Sequence, residues 1–535
     1  MTGNGSATPR RIMLYDTTLR DGTQGANISL TVDDKVQIAL LLDDIGVDYI
    51  EGGWPLSNPK DLAFFQAVRG RLRHARLAAF GSTARRGRPA EADANLRAIL
   101  ETGAPVACIF GKASRFQAER ILGQDPEAYL GVVESSVRFL KRAGLEVVFD
   151  AEHYFDGFKA DPGYALDVVR AAEAGGADWV ALCDTNGGSL PEEVEAATRA
   201  AAAAVQVRLG IHAHNDGGLA VANSLAALRA GADMVQGTVN GYGERCGNAN
   251  WVTIWPTVVA KLGLAMGRPE ALSRLTTFSR TVAEIANMAP NPSDPYVGEN
   301  AFTHKAGVHA SAVRKQPEAY EHIDPGLVGN DRRILVSELA GRSNLLARFP
   351  ELAERADETA RLVEAIKERE HRGFQFDAAE ASVALLVREV LGERLEYYRP
   401  LHYHVWVSGV QAPGVEATVR VQVGDQEVLE AALGDGPVHA LDGALRKALG
   451  RFYPALHELR LTDYKVRVLD GREGTAATVR VLVSSRLRDR TIRTVGVSPN
   501  ILEASWQALR DAVDYALHVT GTPVLGKAPA EAARS

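Results

Sequence analysis

The feature that most constrains the fold is a repeated alternation of short buried strands and amphipathic helices over the first half of the chain. This alternation favours a parallel sheet, because parallel neighbours must be joined by a crossover of about helix length. Eight such units within about 250 residues predict an α/β fold, a closed (β/α)8 TIM barrel. The predicted strands lie near residues 12–15, 47–51, 76–80, 105–110, 146–150, 179–183, 208–211 and 234–239.

The structural alternative is an open, doubly wound parallel sheet. Its dinucleotide-binding form carries a GxGxxG turn directly after the first strand. Here the first strand leads into residues 16–22 (DTTLRDG), which lack that pattern. The barrel is therefore the favoured fold.

Polar and ionisable residues follow the predicted strands at or just beyond their carboxyl ends. In TIM barrels that end carries the catalytic residues. A single acid or hydroxyl at such a position is typical of a helix cap, but so many on one rim indicate an active site. The residues are Arg20, Asp21, Glu152, Thr185, His212, His214 and Asn248.

The most informative of these residues are the two histidines at the end of the seventh strand. Residues two apart on a strand point to the same side, so His212 and His214 converge, although an isolated pair is as often structural. With the carboxylate of Asp21 they would form a triad with open positions, suited to Mg²⁺, Mn²⁺, Zn²⁺ or Fe²⁺. Such a cation could chelate a 2-oxo acid, and Arg20 could neutralise the alkoxide formed when its ketone is attacked.

Composition excludes several classes of protein. The 535 residues suggest roughly two to four domains, and a net charge of −7 gives no basic footprint for nucleic acid. Cys108, Cys183 and Cys246 lie too far apart for a disulfide framework and fit a reducing cytoplasm. We find neither a signal peptide nor a run long enough to span a membrane. We expect a cytoplasmic protein with small-molecule substrates and without nucleic-acid or membrane partners.

The second half of the chain changes character after a turn-rich linker at residues 291–295. Residues 333–395 are predicted to be mostly helical, because Leu352, Leu362, Val363 and Ile366 are spaced as one face. This pattern indicates a helical subdomain that follows the barrel.

The last third contains an internal repeat. The run ATVRV at residues 417–421 returns at residues 477–481, and each copy is preceded by a strand and followed by a strand and a helix. No cluster of acids and histidines accompanies it, so a regulatory or dimerising α+β domain is favoured over a second enzyme. The predicted segments are a polar tail (1–10), the barrel (11–285), a linker and helical subdomain completing the active site (286–397), the regulatory domain (398–520) and a tail (521–535).

Four motifs resemble those of the 2-isopropylmalate, homocitrate and citramalate synthases. Residues 19–24 (LRDGTQ), with Lys35 beyond them, are similar to the first signature of this family, and residues 209–220 (LGIHAHNDGGLA) to the second. Residues 240–249 (NGYGERCGNA) resemble the glycine-rich loop after the last barrel strand, and residues 304–309 (HKAGVH) the HKxGxH segment. The resemblance extends from about residue 12 to residue 517.

The resemblance implies a Claisen-type condensation of acetyl-CoA with a 2-oxo acid, followed by hydrolysis of the thioester. It implies that Asp21, His212 and His214 bind a divalent cation, with Asn248 at or beside it.

The resemblance also implies roles for other residues. Arg20 and Thr185 would hold the oxo acid, and Glu152, His309 and Tyr320 would join Arg20 as catalytic residues. His309 and Tyr320 would come from the segment after the barrel. In one interpretation, the partner subunit of a dimer would supply them. Glu152 and His309 both qualify as the base that removes the acetyl proton.

Residues 51–55 (EGGWP) and 153–157 (HYFDG) are most similar to the citramalate synthase branch. That branch uses pyruvate and implies a role in isoleucine biosynthesis, with isoleucine as feedback ligand and a homodimer or higher oligomer as the assembly. Phe80, Phe110 and Tyr154 are candidates for excluding larger oxo acids, although each could equally be a core residue.

Three alternatives stay open at this point. The chain could be a 2-isopropylmalate or homocitrate synthase, with the same chemistry and a different oxo acid. It could be a metal-dependent aldolase or lyase of the same barrel superfamily. A purely sensory protein would leave the polar barrel rim unexplained.

Overall fold

The computed structural model describes residues 9–525, with gaps at 306, 336–344, 347, 394, 410–413, 470–476 and 489. Most of the two predicted tails and part of the predicted helical stretch 333–395 lie outside the described residues. The chain divides into two compact units, Met1–Phe302 with Ile323–Arg332 and Thr303–His322 with Arg333–Ser535. The segment boundaries predicted from sequence stay predictions.

The first unit contains a closed parallel barrel. Successive strands from β1 to β8 are hydrogen-bonded neighbours, and β1 pairs with both β2 and β8, which closes the sheet. The closure confirms the TIM barrel and excludes the open sheet. The strands are β1 (Arg11–Asp16), β2 (Tyr49–Gly53), β3 (Arg76–Ser82), β4 (Val106–Lys112), β5 (Glu146–Glu152), β6 (Trp179–Asp184), β7 (Arg208–Ala213) and β8 (Met234–Gly237), with a short β9 (Ala265–Met266) beside the start of β1.

Helices cover the outside of the barrel. The first is typical of how they begin and end: Thr31 and Asp34 form a capping box, and Gly46 ends the helix in the left-handed conformation, with φ at 92°. The helices are α1 (Val32–Ile45), α2 (Pro59–Val68), α3 (Ala94–Glu101), α4 (Pro126–Arg142), α5 (Tyr154–Ala160), α6 (Pro162–Gly175), α7 (Pro191–Ala204), α8 (Ala220–Ala230), α9 (Trp251–Leu262) and α10 (Leu275–Ile285).

The inside of the barrel is packed with side chains rather than open, as barrels of this size are. Large aromatic residues supply much of the packing, and the rings of Tyr15 and Tyr49 stack with centroids 5.5 Å apart. Trp179 and Met234 belong to the same buried cluster. Above this plug, the carboxyl end of the barrel leaves space for a ligand.

The second unit begins with short elements and then two helices. β10 (Thr303–His304) pairs in parallel with β11 (Arg333–Ile334), and α11 (Gly307–Lys315) lies between them in sequence. The helices are α12 (Ala356–His371) and α13 (Glu380–Val390). Leu352, Leu362 and Ile366 are buried in one cluster, which confirms the helical face predicted from their spacing.

The predicted repeat is confirmed as two βββα units. The first consists of β12 (Arg399–Ser408), β13 (Gly414–Val423), β14 (Gln426–Gly434) and α14 (Pro437–Gly450). The second consists of β15 (Leu459–Val468), β16 (Val479–Leu487), β17 (Arg490–Ser498) and α15 (Ile501–Val519). Each helix packs against its own sheet, and apolar residues of α14 and α15 share one core. None of the described helices is long and apolar enough to cross a membrane.

Candidate active site

Three side chains that could bind a metal converge at the carboxyl ends of β1 and β7. Asp21 begins the short turn that follows β1, His212 lies near the end of β7, and His214 follows it. One potential ligand atom from each lies within 4.8 Å of the others. Nε2 of His212 is 3.3 Å from Oδ2 of Asp21 and 3.4 Å from Nε2 of His214. The predicted triad is therefore brought together.

These distances fit a shared cation. Ligand atoms about 2.1 Å from one ion lie roughly 3.0–3.5 Å apart in tetrahedral or octahedral geometry. Asn248 lies against the same cluster, where its Nδ2 donates to Oδ2 of Asp21 over 2.8 Å. Its Oδ1 is buried and has no hydrogen-bond partner in the described part of the chain. Rotation of this amide would offer an oxygen ligand beside the carboxylate and the imidazoles, a set that suits a divalent ion.

A buried hydrogen-bond chain fixes which nitrogen of His212 carries hydrogen. Nε2 of Gln236 donates to Oδ1 of Asp150 over 2.7 Å, so Oε1 of Gln236 is left to accept from Nδ1 of His212 over 2.8 Å. In the neutral imidazole the lone pair is then on Nε2, on the side of Asp21, and only the protonated ring can donate to that carboxylate. Metal-binding histidines are commonly held in this way through their other ring nitrogen.

Burial and charge set the protonation of the triad. Burial alone would raise the pKa of Asp21, but Arg20 and the two imidazoles outweigh it and hold that pKa well below its usual range. Burial and the adjacent His212 lower the pKa of His214 to about 4. Burial opposes protonation of His212 too, yet the hydrogen bond and charge of Asp21 raise its pKa above the usual value. At neutral pH, therefore, Asp21 is ionised and His214 is neutral.

Arg20 is held over the pocket by two carboxylates and an aromatic ring. Its Nε lies 2.5 Å from Oε1 of Glu51, and its Nη1 lies 3.4 Å from Oδ2 of Asp21. Tyr15 donates to the other oxygen of Glu51 over 2.7 Å. The guanidinium stacks on Phe80, 3.8 Å from the ring centroid. Burial opposes its charge, but Asp21 and Glu51 outweigh burial and raise the pKa of Arg20, so it carries a fixed positive charge.

Glu152 and Thr185 both line the pocket. Glu152 ends β5, and its Oε2 lies 2.5 Å from Nζ of Lys112 at the paired position of β4. The hydroxyl of Thr185 accepts from the backbone N–H of His153 over 2.8 Å. That bond orients the hydroxyl while its own hydrogen can still be donated to a ligand.

Aromatic side chains form another wall of the pocket. The rings of Trp54, Phe80 and Phe110 contact one another with centroids 5.5 to 5.7 Å apart. The indole of Trp54 is fixed because its Nε1 donates to Oδ1 of Asn95 over 2.6 Å. Tyr154 is not part of this wall: it is buried outside the pocket, and its hydroxyl donates to the Ala197 carbonyl. Of the three bulky candidates, Phe80 and Phe110 therefore face the ligand space and Tyr154 is a core residue.

These side chains enclose one cavity of about 220 Å³ above the barrel plug. Its lining consists of Arg20, Asp21, Gln24, Trp54, Phe80, Phe110, Asp150, Glu152, Cys183, Thr185, His212, His214, Glu244 and Arg245.

The glycine-rich loop after β8 crosses close to the predicted metal ligands. A Cβ at Gly243, where φ is 156°, would lie 2.1 Å from Oδ1 of Asn248, so only glycine fits there. Arg245 in this loop pairs with both oxygens of Asp216, at 2.8 and 3.0 Å, and donates to the Thr185 carbonyl over 2.8 Å. Arg245 thus ties together the loops that follow three neighbouring strands.

The two predicted residues that come after the barrel belong to the second unit. His309 and Tyr320 are brought together, with ring centroids 4.3 Å apart, and both are exposed. Their proximity agrees with a functional pair, while their catalytic role stays a prediction.

Sequence reasoning assigned no individual site role to several residues that organise the site, although three of them lie within motifs that it singled out; they are Glu51, Trp54, Lys112, Asp150, Gln236 and Arg245. The site position of Asp150 could have been inferred from the sequence, because Asp150 precedes Glu152 by two positions on β5 and so faces the same side of the strand. Gln236 is likewise a polar residue within a buried strand. The pairing of Glu51 with Arg20 depends on the pairing of β2 with β1, which the spacing of the two residues in sequence does not indicate.

Metal affinity is expected to depend on pH through His212. Because its pKa is raised, a metal must displace a proton from it below that pKa, and affinity should fall by about tenfold per pH unit. Protonation of His214 should not change the metal affinity above pH 5, since the pKa of His214 is lowered to about 4. Calorimetric titration with Mn²⁺ between pH 5.5 and 8, in buffers of different ionisation enthalpy, measures both the affinity and the protons released.

A Gln236→Leu variant should bind Mn²⁺ about 10- to 100-fold more weakly, because it loses the acceptor that orients His212. An Asp216→Asn variant, altered outside the triad, should retain the wild-type pH slope. An affinity that does not change with pH would contradict this account of His212.

Comparison with known proteins places the chain in a family. Residues 11–282 match the HMGL-like family, residues 296–373 the homocitrate synthase post-HMGL domain-like family and residues 377–517 the LeuA allosteric (dimerisation) domain. The (R)-citramalate synthases of Geobacter sulfurreducens and Aquifex aeolicus are 48% and 49% identical, each over 95% of this chain and 98% of the relative. A 2-isopropylmalate synthase of Methanocaldococcus jannaschii is 28% identical over 95% of both chains. The chain belongs to the citramalate synthase family.

Proposed function

We propose that this protein condenses acetyl-CoA with pyruvate and hydrolyses the resulting thioester, which gives citramalate and CoA. The observation that carries the proposal is the convergence of Asp21, His212 and His214 beneath Arg20 and an aromatic wall. The high identity to citramalate synthases over nearly the full length of both chains supports the choice of reaction.

The pocket offers cationic, hydrogen-bonding and apolar groups to the different parts of a 2-oxo acid. A divalent cation held by Asp21, His212 and His214, with Asn248 beside it, would supply Lewis-acid polarisation of the ketone. The free N–H groups of Arg20 supply fixed positive charge for the oxygen that becomes an alkoxide. The hydroxyl of Thr185 can donate to the carboxylate of the substrate. The methyl group of pyruvate would then face Trp54, Phe80 and Phe110.

Carbon–carbon bond formation requires removal of a proton from the methyl group of acetyl-CoA. We assign this step to Glu152, and the assignment is supported by its carboxylate, which pairs with Lys112 and lines the pocket. The resulting carbanion attacks the ketone carbon of pyruvate, and the new alkoxide takes up a proton. Attack of water on the thioester then releases CoA as a thiol. His309 is the alternative base.

The triad is tested by Asp21→Asn. We expect the variant to lose at least about a hundredfold in CoA release from acetyl-CoA and pyruvate, because an amide neither carries the charge nor binds the cation as well. The variant should stay folded, since an open catalytic site contributes little to the core. CoA release by thiol titration, with circular dichroism for folding, provides the measurement.

Asp44→Asn is a matched control, because Asp44 is a largely exposed carboxylate that pairs with Arg274 outside the pocket. It should retain full activity. Near-complete turnover by the wild-type enzyme after thorough chelation would reject the metal-dependent proposal. Cleavage of citramalate or its CoA ester without condensation would favour the lyase alternative.

Exclusion by the aromatic wall accounts for the proposed choice of oxo acid. The isopropyl group of 2-oxoisovalerate has two more carbons than the methyl of pyruvate, which would favour the larger acid by about 1.6 kcal/mol if there were room. A pyruvate enzyme must therefore exclude it sterically, and overpacking costs about 1–3 kcal/mol. Hydrogen bonding to Asn95 keeps Trp54 from turning aside, so the wall is rigid.

We expect kcat/KM for pyruvate to exceed that for 2-oxoisovalerate by at least about tenfold. Phe110→Ala should narrow this ratio by admitting the branched acid. Phe110 is preferred to Phe80 because Phe80 supports Arg20. Steady-state kinetics with both acids provide the measurement.

Tyr154→Phe is the control for this series, because Tyr154 is buried outside the pocket; it should leave the ratio unchanged. Equal or better turnover of 2-oxoisovalerate by the wild-type protein would assign it to 2-isopropylmalate synthesis, with the metal chemistry unaffected.

The LeuA domain match supports a regulatory proposal for the second unit. We infer that the protein forms a homodimer and that isoleucine, the end product, binds to the repeat domain and inhibits the enzyme. Coupling energies between sites are typically about 1–3 kcal/mol, which corresponds to roughly 5- to 150-fold inhibition at saturation.

This proposal is tested on the full chain by calorimetric titration with isoleucine, leucine and lysine and by inhibition assays with each. A chain cut near Tyr398 is a poor test, because Leu386 and Val387 of α13 pack against Val495 of β17 and would lose that contact. We expect isoleucine to bind most tightly and to inhibit. Failure of all three amino acids to bind would reject the regulatory assignment.

A further inference from the structure

A buried ion pair lies beneath the loop that carries Trp54. Lys35 of α1 is 2% exposed and Asp61 of α2 is 6% exposed. Nζ of Lys35 lies 2.5 Å from Oδ1 of Asp61. Lys35 accompanies the first of the four family motifs, yet it is not among the residues that line the pocket. Because a charged pair loses hydration when it is buried, its place in the barrel calls for a physical reason.

The end of β2 contains a bulge that sets which way Trp54 points. The register of β2 on β3 shifts by one residue between Glu51 and Gly53, so β2 has one extra residue at Gly52. Successive residues of a strand face opposite sides. Glu51 points into the barrel, where it binds Arg20, so an unbroken alternation would turn the residue three positions later outwards. With the bulge, Trp54 instead faces the pocket.

Both glycines of the bulge face α2. A Cβ at Gly52 would lie 2.6 Å from the ring of Phe64, and a Cβ at Gly53 would lie 2.3 Å from Cγ of Asp61. Gly53 has φ at 147°, in the range that favours glycine. Two consecutive residues therefore point to the same side, and this moves the next residue to the other side.

The ion pair binds the backbone on both sides of Gly53. Nζ of Lys35 donates to the Gly52 carbonyl over 3.1 Å. The backbone N–H of Trp54 donates to Oδ2 of Asp61 over 2.9 Å. A bulge disrupts the ladder locally, and buried peptide groups need hydrogen-bond partners. Lys35 and Asp61 supply those partners, and each compensates the charge of the other.

The side chain of Trp54 is held separately from its backbone. Its Nε1 donates to Oδ1 of Asn95 over 2.6 Å, and Nδ2 of Asn95 donates to the Ser82 carbonyl over 2.7 Å. The ring contacts Phe80 and Phe110 in the aromatic wall. One side-chain hydrogen bond cannot fix both the ring and its point of attachment. A change of the backbone at the bulge would therefore displace the indole in the wall.

We propose that Lys35 and Asp61 are positioning residues for Trp54: they hold the bulge that turns the indole into the pocket, and they thereby contribute to the choice of 2-oxo acid. The kinetic consequence rests on the function proposed above, whereas the position of Trp54 is measurable without turnover. Because neither charged residue lines the pocket, their loss should change substrate choice and KM more than kcat.

Replacement of both charged partners tests the proposal. Lys35→Met/Asp61→Leu removes the two contacts to the bulge without leaving a lone charge, and apolar replacements of buried pairs are often tolerated. We expect the kcat/KM preference for pyruvate over 2-oxoisovalerate to fall by at least about fivefold. KM for pyruvate should rise more than kcat falls. Lys35→Gln, which keeps a hydrogen-bond donor on a chain one bond shorter, should act in the same direction by less.

Two further measurements establish that the effect passes through Trp54. Fluorine NMR of fluorotryptophan-labelled protein, assigned with Trp54→Phe, should show the Trp54 resonance shifted or broadened in Lys35→Met/Asp61→Leu. Trp54→Leu alone should narrow the preference for pyruvate. Its combination with the Lys35 and Asp61 replacements should narrow that preference little further, because coupled sites are not additive.

Lys141→Met/Asp178→Leu is the matched control. Nζ of Lys141 on α4 lies 2.7 Å from Oδ2 of Asp178, and that oxygen accepts from the Val147 N–H over 2.7 Å. This pair thus also joins a helix to the backbone of a strand, but it lies at the amino ends of β5 and β6. Its replacement should change neither the preference for pyruvate nor the Trp54 resonance.

The possible outcomes separate this proposal from the proposed function. A folded Lys35→Met/Asp61→Leu variant with an unchanged preference or an unchanged Trp54 resonance would overturn the positioning role. Additive effects in the combined variant would overturn it too. Failure of both Lys35 variants to fold would also do so, because the pair would then serve the barrel core. A wild-type enzyme that does not prefer pyruvate would reject the proposed substrate, and the Trp54 resonance would still decide the positioning role.

Discussion

Pairing between β1 and β8 is the constraint on which the rest of the site depends. Asp21 follows β1, His214 follows β7 and Asn248 lies beyond β8, so the cluster forms only when the first and last strands meet. A backbone ladder of parallel strands supplies that closure and holds its ends rigidly. The geometry of the Asp21, His212 and His214 cluster is thus a consequence of barrel topology.

Buried charge is organised so that the pocket is pre-formed. Arg20 is compensated by Glu51 and Asp21, and Asp21 is compensated by Arg20 and the imidazoles. These groups are buried, and each has a partner of opposite charge. Because the local dielectric constant is low, the attraction within each pair is stronger than in water, and the groups stay ionised. An oxo acid entering the pocket meets a positive guanidinium and an ionised carboxylate whose positions are already fixed, which reduces the reorganisation needed in the reaction.

The second unit shows how one repeated sequence acquires two roles. Both βββα repeats bury a helix on the inner face of a sheet, as their shared apolar alternation requires. Their outer faces differ because α13 packs on one and not on the other. A duplicated unit can therefore stabilise its own chain with one copy and present a surface with the other.

The sequence by itself determined the periodic features of this protein. Alternating strands and helices, the rim residues that follow strand ends and the duplicated run were all readable, because local periodicity dictates which face of an element is buried. Only the tertiary structure decided which side chains meet. Trp54 and Asn95, Arg20 and Glu51, and Gln236 and Asp150 are distant in sequence, and Tyr154 was separated from Phe80 and Phe110 only by the three-dimensional fold. Such contacts depend on strand order, register and closure, which no local pattern encodes.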